Sequence, residues 1–162
     1  MLAPDLSVLF CGINPSLYSG ATGHHFARPG NRFWPALHRA GFTDRRLSPF
    51  EDAALPEYGL GCTNLVNRAT ARADEVSRDE LERGGTRLRE LAETLRPRWV
   101  AVLGIGAYRV ALDARAGTIG AQEAPLGPAR LWVLPNPSGI NAHYQLADLV
   151  EAFAALKRAA EA

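Results

Sequence analysis

Apolar residues occur along this chain both as short continuous runs and as stripes with helical spacing. Three runs, at residues 6–10, 99–103 and 131–134, are pronounced, and a weaker one lies at residues 59–66. Continuous apolar runs of this length are typical of strands that are buried on both faces of a parallel sheet. The pattern therefore predicts a short parallel sheet of about four strands.

Stripes with helical spacing fill the intervals between these runs. Ser77 and Glu80 form a capping-box pattern, and an apolar stripe follows it and ends before Pro97. A second stripe occupies the last segment of the chain, and shorter helices are predicted at residues 31–40 and 104–112. Strands that alternate with helices predict an α/β fold of three layers, α/β/α, with the parallel sheet in the centre.

Composition narrows the class of protein without indicating its function. The 162 residues suit a single domain, residues 1–162, and the net charge of +1 offers no overall attraction to nucleic acid. Two cysteines, Cys11 and Cys62, are too few for a cysteine-ligated zinc or iron–sulfur site. The sequence has no apolar stretch of about 18 residues and no signal-peptide pattern. We therefore expect a cytoplasmic protein that does not contact membranes.

Two proline loops stand directly after predicted strands. Asn14 precedes Pro15 after the first strand, and Asn136 precedes Pro137 after the last one. A proline restricts the backbone beside each asparagine, so that each side-chain amide is presented in one orientation. Ligands bind outside the carboxyl ends of strands in open α/β sheets, and the two loops therefore suggest one shared site. Ordinary turns are the alternative interpretation, since Asn-Pro pairs start turns in many proteins.

The segment at residues 14–29 has no periodicity. Loops of this length within a domain are often functional. Phe26 lies in it without an evident structural reason, and it is a candidate surface on which a planar ligand could stack. Phe33 and Trp34 precede the next helix and are expected in the core.

Several common catalytic patterns are absent from the sequence. It has no phosphate-binding loop of the P-loop type and no Gly-x-Ser-x-Gly elbow. Gly104 and Gly106 resemble the opening of a dinucleotide-binding fingerprint, but the third glycine is missing, so a turn that enters a helix is favoured. His24 and His25 could ligate a metal, but an exposed pair in a loop is the expected structure. The sequence therefore predicts no metal site and no cofactor.

The two proline loops and the segment between them resemble the mismatch-specific uracil-DNA glycosylases, which are grouped with the thymine-DNA glycosylases. The resemblance rests on residues 22–34 and on three short motifs, Gly12-Ile13-Asn14-Pro15, Gly84-Gly85 and Asn136-Pro137-Ser138-Gly139. It covers nearly the whole chain. The fold that it implies agrees with the one predicted from the apolar pattern.

The chain departs from related families, and from this one, at identifiable positions. Asn14 stands where some uracil glycosylases have an aspartate, and Asn136 stands where others have a histidine. After the second motif the bacterial mismatch enzymes usually continue with Leu, Ser and Arg, whereas this chain has Ile140, Asn141 and Ala142. The apolar position is kept and the Arg is lost. This difference predicts altered binding of the guanine that is left without a partner when the mispaired base is flipped out of the duplex.

The resemblance implies a DNA-repair enzyme, a monofunctional hydrolase of N-glycosyl bonds. It would excise uracil mispaired with guanine from double-stranded DNA, and a G·U or G·T mismatch is the implied partner of a monomeric protein. Asn14 is implied to hold the attacking water without taking its proton, since an amide is not a base at neutral pH. A non-catalytic domain that binds nucleotides or mismatched DNA is the alternative.

The resemblance also implies how the base is held. The flipped uracil is implied to stack on Phe26. Its carbonyl groups are implied to meet the backbone N–H groups near Ile13 and Phe26 and the side-chain amide of Asn136, and Gly12 is implied to belong to the same binding set. Ser19 is implied to touch a phosphate or to crowd the C5 edge of the uracil.

The loop after the second motif is implied to enter the DNA. Ile140 would fill the stack that the flipped nucleotide leaves, and its neighbours would bond the edge of the orphaned guanine. These neighbours are Ser138, Gly139 and Asn141.

One carboxylate is a second catalytic candidate. Asp74 lies in the loop at residues 67–76, after the fourth strand candidate, and from there it could activate the water that Asn14 orients. Alternatively, it is an exposed charge that favours the N-terminus of the following helix. The sequence leaves both interpretations open.

Overall fold

Four parallel strands and one antiparallel strand form the central sheet of the computed structural model, which describes residues 1–162. The strands are β1 (Val8–Gly12), β2 (Leu60–Asn64), β3 (Trp99–Leu103), β4 (Gly120–Ala121) and β5 (Arg130–Leu134). They lie in the order β2-β1-β3-β5-β4, and β4 alone runs antiparallel to its neighbour. The predicted parallel sheet is confirmed. The edge strand β4 has two residues, too few to produce an apolar run in the sequence.

Five α-helices surround the sheet: α1 (Leu17–Thr22), α2 (Phe33–Arg39), α3 (Arg78–Leu95), α4 (Ile105–Ala111) and α5 (Leu146–Glu161). Two 3-10 helices occupy Pro49–Tyr58 and Ala73–Glu75. Four of the α-helices agree with the sequence prediction. Ser77 caps α3 in the predicted capping box, and Gly104 caps α4, which confirms the helix-entry interpretation. No helix is both long enough and apolar enough to cross a membrane.

Helix α1 lies inside the segment that shows no periodicity in the sequence. The Oγ of Ser16 accepts a hydrogen bond from the backbone N of Ser19, 3.0 Å away. Gly23 ends the helix with a positive φ of 74°. The helix has only six residues, which are too few to show an apolar stripe in the sequence. Its ends are defined by the two caps.

Both faces of the sheet are covered, which confirms the three-layer α/β/α fold. Alternate residues of a strand point to opposite faces. On one face Phe10 packs against Phe33 of α2 and Phe153 of α5. On the other, Leu9 belongs to a second buried cluster that includes Leu88 of α3. The predicted core position of Phe33 is confirmed.

Two glycines let α3 approach the rest of the fold closely. A Cβ atom at Gly84 would lie 2.2 Å from the carbonyl oxygen of Leu65, in the loop after β2. A Cβ atom at Gly85 would lie 1.8 Å from the carbonyl oxygen of Ala111, at the end of α4. Neither backbone oxygen can move without displacing the main chain that carries it. These glycines therefore serve the packing of α3.

We expect Gly85→Ala to lower the free energy of unfolding by about 1–3 kcal/mol, because the added methyl group must displace the backbone of Ala111. Chemical denaturation measures the difference. The matched control is Gly106→Ala in α4, where an added Cβ meets no atom within 4 Å. There the substitution should stabilise the helix, since alanine has the higher helix propensity. Equal stabilities of the two variants would contradict the close-packing account.

Candidate active site

A cavity of about 940 Å³ lies at the carboxyl edge of the sheet. Its wall includes residues that follow β1, β3 and β5, together with the last residue of β2. It brings together nine residues selected from the sequence: Gly12, Ile13, Asn14, Ser19, Phe26, Asn136, Ser138, Ile140 and Asn141. Two other selected residues, Gly139 and Asp74, do not line it.

The side chain of Asn14 is held in one orientation by two acceptors. Its Nδ2 donates to the carbonyl oxygen of Arg68 and to the Oγ1 of Thr70, each 2.8 Å away. The Thr70 hydroxyl donates its own proton to the carbonyl oxygen of Arg72 at 2.6 Å, so it accepts from Asn14. Both amide hydrogens are therefore used within the protein. Oδ1 is left as the acceptor for a molecule in the cavity.

An ion pair holds the segment to which Asn14 is bound. The Arg68 guanidinium donates to both carboxylate oxygens of Glu80, at 2.9 and 3.0 Å. The hydrogen bond from Arg68, followed by the one from the backbone of Ser77, lowers the pKa of Glu80 from 4.5 to about 2. The capping box at the start of α3 thus also anchors the backbone that orients Asn14.

Among the residues selected from the sequence, three offer hydrogen-bond donors in the cavity wall that have no partner within the protein. The backbone N–H groups of Ile13 and Phe26 make no intramolecular hydrogen bond. The Oδ1 of Asn136 accepts from the backbone N of Ser138 at 3.0 Å, so its Nδ2 is free to donate. Donors of this kind bind the oxygen atoms of a planar ligand and stabilise negative charge that develops on it.

The ring of Phe26 forms an aromatic part of the cavity wall. It stacks on the buried ring of Phe33, with the centroids 4.1 Å apart and 24° between the planes. Phe26 has a positive φ of 52°, which is uncommon for a bulky residue and costs conformational energy. A Cβ atom at Gly12 would lie 3.2 Å from this ring and 2.7 Å from the Oδ1 of Asn64. The absence of a side chain at Gly12 therefore keeps the ring accessible.

Buried polar groups hold the Phe26 segment. The carboxylate of Asp52, 1% exposed, accepts from the backbone N of His25 at 3.0 Å and lies 3.2 Å from the Nδ1 of His24. Trp34 is a core residue, as predicted, and its Nε1 donates a hydrogen bond to the carbonyl oxygen of His25. Burial of the His25 side chain lowers its pKa. The expectation that His24 and His25 form an exposed pair is therefore wrong, because both histidines are half-buried beside Asp52.

No group of three or more His, Cys, Asp or Glu side chains is placed to hold a metal ion.

Ser19 is buried and bonds the same segment. Its Oγ accepts from the backbone N of Ala27 at 2.9 Å, and only 7% of the residue is exposed. Ser19 lines the cavity, and both implied roles, a phosphate contact and a position at the C5 edge of the uracil, stay predictions.

The loop after β5 presents an apolar tip. Ile140 is 62% exposed and lies in a turn between β5 and α5. Asn141 uses its side chain within this loop, since Nδ2 donates to the carbonyl oxygen of Asn136 and Oδ1 accepts from the backbone N of His143. The second hydrogen of Nδ2 has no partner within the protein, and the implied contact between Asn141 and guanine stays a prediction. The exposed backbone of Gly139 makes no hydrogen bond and is the free polar group beside the tip.

Asp74 lies outside the cavity. Its carboxylate is 73% exposed and pairs with the Nε of Arg72 at 3.1 Å. The 3-10 helix Ala73–Glu75 places it in solvent, although the adjacent Arg72 lines the cavity. Of the two interpretations left open for Asp74, the structure agrees with the exposed charge, because the carboxylate does not line the cavity that contains Asn14.

Asn64 is a candidate that the sequence reasoning missed. It ends β2, pairs in register with Gly12 and lines the cavity. Unlike Asn14 and Asn136, its side-chain amide makes no intramolecular hydrogen bond. A signal existed in the sequence, because parallel topology carries the last polar residue of the fourth strand candidate to the same edge as Asn14. An unpaired amide at this position is suited to bonding the polar edge of a base.

The family model of the uracil DNA glycosylase superfamily matches residues 1–157. The chain belongs to this superfamily. Membership supports a DNA glycosylase that acts on uracil, that is, a hydrolase of N-glycosyl bonds that serves base excision repair. The resemblance found in the sequence is thus confirmed for the superfamily, together with its fold, while specificity for mismatches stays a prediction.

The Arg68–Glu80 pair of this glycosylase predicts a stability that depends on pH. The folded pKa of Glu80, about 2, lies below the ordinary value of 4.5. The carboxylate therefore stabilises the fold fully above pH 4.5, and this contribution is lost as the pH falls towards 2. We expect Glu80→Gln to be less stable than the wild type near neutral pH and to approach it near pH 2. Urea denaturation over this pH range measures the difference.

The control for Glu80→Gln is Glu90→Gln, because Glu90 is exposed on the same helix and forms no ion pair. Its stability should follow the wild-type curve over the whole range. A difference between Glu80→Gln and the wild type that does not change with pH would count against the stabilising role of the ion pair.

We expect Asn64→Ala to lower the single-turnover rate of uracil excision about tenfold or more, since hydrogen bonds to the polar edge of the base are lost. The matched control is Asn67→Ala, because Asn67 is exposed and does not line the cavity. Gel analysis of a uracil-containing oligonucleotide after alkali gives the rates. An Asn64→Ala rate equal to that of the control would remove Asn64 from the base-binding set.

Proposed function

We propose that this protein removes uracil mispaired with guanine from double-stranded DNA by hydrolysing the N-glycosidic bond, which leaves an abasic site. One observation carries the proposal. The amide of Asn14 is fixed by two acceptors so that its Oδ1 alone can hold a further molecule. The same cavity contains the stacking ring of Phe26 and the unpaired donors at Ile13 and Asn136.

The proposed reaction begins when the uracil nucleotide leaves the duplex, since the bond cannot be reached inside the stack. Ile140, apolar and exposed at the tip of its loop, fills the place of the lost base. The free backbone of Gly139 next to it bonds the orphaned guanine. A G·U or G·T pair is the favoured substrate, because a mismatch is cheaper to open than a Watson–Crick pair.

The proposed chemistry depends on positioning and on stabilisation of the leaving group. Uracil stacks on Phe26, while the N–H groups of Ile13 and Phe26 and the Nδ2 of Asn136 bind its oxygens as negative charge develops. Oδ1 of Asn14 accepts a hydrogen bond from water and holds it against the sugar. An amide cannot take the water's proton at neutral pH, so slow hydrolysis is expected.

The proposal includes monofunctional action and a monomeric enzyme in the cytoplasm. Cleavage of the strand through a Schiff base needs a free amine, and the sole lysine, Lys157, pairs with Glu161 and does not line the cavity. Each residue with a proposed role comes from one chain. The free, buried Cys11 and Cys62 agree with a reducing compartment.

Incubation with a G·U duplex, followed by alkali, tests the proposed function, because strand scission then requires an abasic product. We expect the wild type to cut the uracil strand in G·U DNA faster than in A·U DNA. Asn14→Ala should lower the single-turnover rate about a hundredfold, since water is no longer positioned, and should still bind the duplex.

Two results would contradict parts of the proposal. An Asn14→Ala protein that cuts at the wild-type rate would show that Asn14 does not position the water. A wild type that binds G·U DNA without forming an abasic site on any uracil substrate would favour the non-catalytic binding domain. Comparison of G·U, A·U, G·T and single-stranded uracil gives the substrate preference.

A further inference from the structure

Arg32 reaches across the rim of the cavity to the loop that carries Ile140. Its Nη2 donates to the carbonyl oxygens of Ser138, at 2.6 Å, and Asn141, at 3.2 Å, and its Nη1 donates to that of Tyr144. These acceptors lie more than 100 residues from Arg32 in sequence and on both sides of the exposed tip. A single guanidinium therefore joins the two halves of the loop.

Besides the bonds of Arg32, the loop at residues 137–144 is tied to the rest of the molecule mainly at its ends, where Pro137 is buried and Tyr144 packs against the core. It contains no helix or strand, and its remaining side-chain hydrogen bonds join residues two to five positions apart. The backbone N of Arg32 donates to the carbonyl oxygen of Pro137 at 2.9 Å. A Cβ atom at Gly139 would lie 2.5 Å from the carbonyl oxygen of Gly30. The loop therefore packs closely against the backbone of residues 30–32.

The guanidinium also leaves one of its own groups unsatisfied. The Nε of Arg32 is buried and has no hydrogen-bond partner. A buried unpaired donor is costly, and such a group in a native fold calls for an explanation. The three carbonyl bonds offset this cost and determine where the planar group lies. A lysine could not replace it, because an ammonium group lacks the planar fork that spans several acceptors.

We propose that Arg32 is a positioning residue for the DNA-inserting tip. It holds the loop in the shape that lets Ile140 replace the flipped nucleotide, so that the loop need not be ordered when DNA binds. Ordering of a loop on binding lowers the affinity that its contacts would otherwise give. This inference rests on the proposed function and assigns Arg32 to base flipping, not to the hydrolysis itself.

The test compares Arg32→Met and Arg32→Lys with the matched control Arg109→Met. Arg109 also bonds a carbonyl oxygen through its guanidinium, that of Gly117, but it lies outside the cavity. Flipping is followed by the fluorescence of 2-aminopurine placed beside the uracil of a G·U duplex. Chemistry is followed by single-turnover excision from the same duplex and from single-stranded uracil DNA, which has no stack to open.

We expect Arg32→Met to lose most of the fluorescence rise and to excise uracil from the duplex about ten- to a hundredfold more slowly. Its rate on single-stranded DNA, where the wild type acts on it, should change less than about threefold, because flipping is not needed there. Arg32→Lys should lie between Arg32→Met and the wild type, and Arg109→Met should match the wild type in both measurements.

A double variant shows whether Arg32 acts through the tip. Ile140→Ala should itself slow excision from the duplex, and adding Arg32→Met should slow it little further, since both changes disable one device. Additive losses, or equal losses on duplex and single-stranded DNA, would overturn the inference. So would a failure of both Arg32 variants to fold when Arg109→Met folds, because Arg32 would then be a residue of the fold alone.

The outcomes also separate this inference from the proposed function. A wild type that raises the 2-aminopurine signal but excises nothing would refute the proposed function. The dependence of that signal on Arg32 would still decide the inference.

Discussion

The alignment of four parallel strands at one edge of the sheet is the constraint on which the site depends. Strand β1 is buried along its whole length, and its pairing with β2 places Gly12 beside Asn64. Buried strands must pair their backbone polar groups with one another. Unpaired donors and side-chain amides are therefore tolerated only where the strands end, and there Ile13, Asn14 and Asn64 meet in one cavity.

Neutral side-chain amides line this cavity, and they differ in which of their polar atoms is already hydrogen-bonded within the protein. Asn14 donates both Nδ2 hydrogens, to the carbonyl oxygen of Arg68 and to the Oγ1 of Thr70, and its Oδ1 remains as an acceptor that suits a water molecule. The Oδ1 of Asn136 accepts from the backbone N of Ser138, and its Nδ2 remains as a donor that suits an oxygen atom gaining negative charge. In the proposed mechanism the same functional group thus serves both the nucleophile and the leaving group, because different neighbours occupy opposite ends of it.

Elements with local causes were predictable from the sequence. The Ser77 capping box and the Gly104 turn depend on residues a few positions apart, and both agree with the structure. The errors concern residues whose partners are distant in sequence. His24 was expected to be exposed, but the carboxylate of Asp52, 28 residues away, is buried beside it. The two interpretations left open for Asp74 depended on the fold as well, since the 3-10 helix Ala73–Glu75 places its carboxylate in solvent.

By itself, the sequence determined the four parallel strands, the asparagines that follow β1 and β5, and the family, because buried runs and short motifs consist of consecutive side chains. Only the tertiary structure decided which atom of each amide is free and which loop Arg32 holds. Those contacts end largely on backbone carbonyl oxygens, such as those of Arg68 and Ser138. Every residue has such an oxygen, so the residue type does not indicate which carbonyl groups act as acceptors. The fold alone determines which of them lie near Asn14 and Arg32.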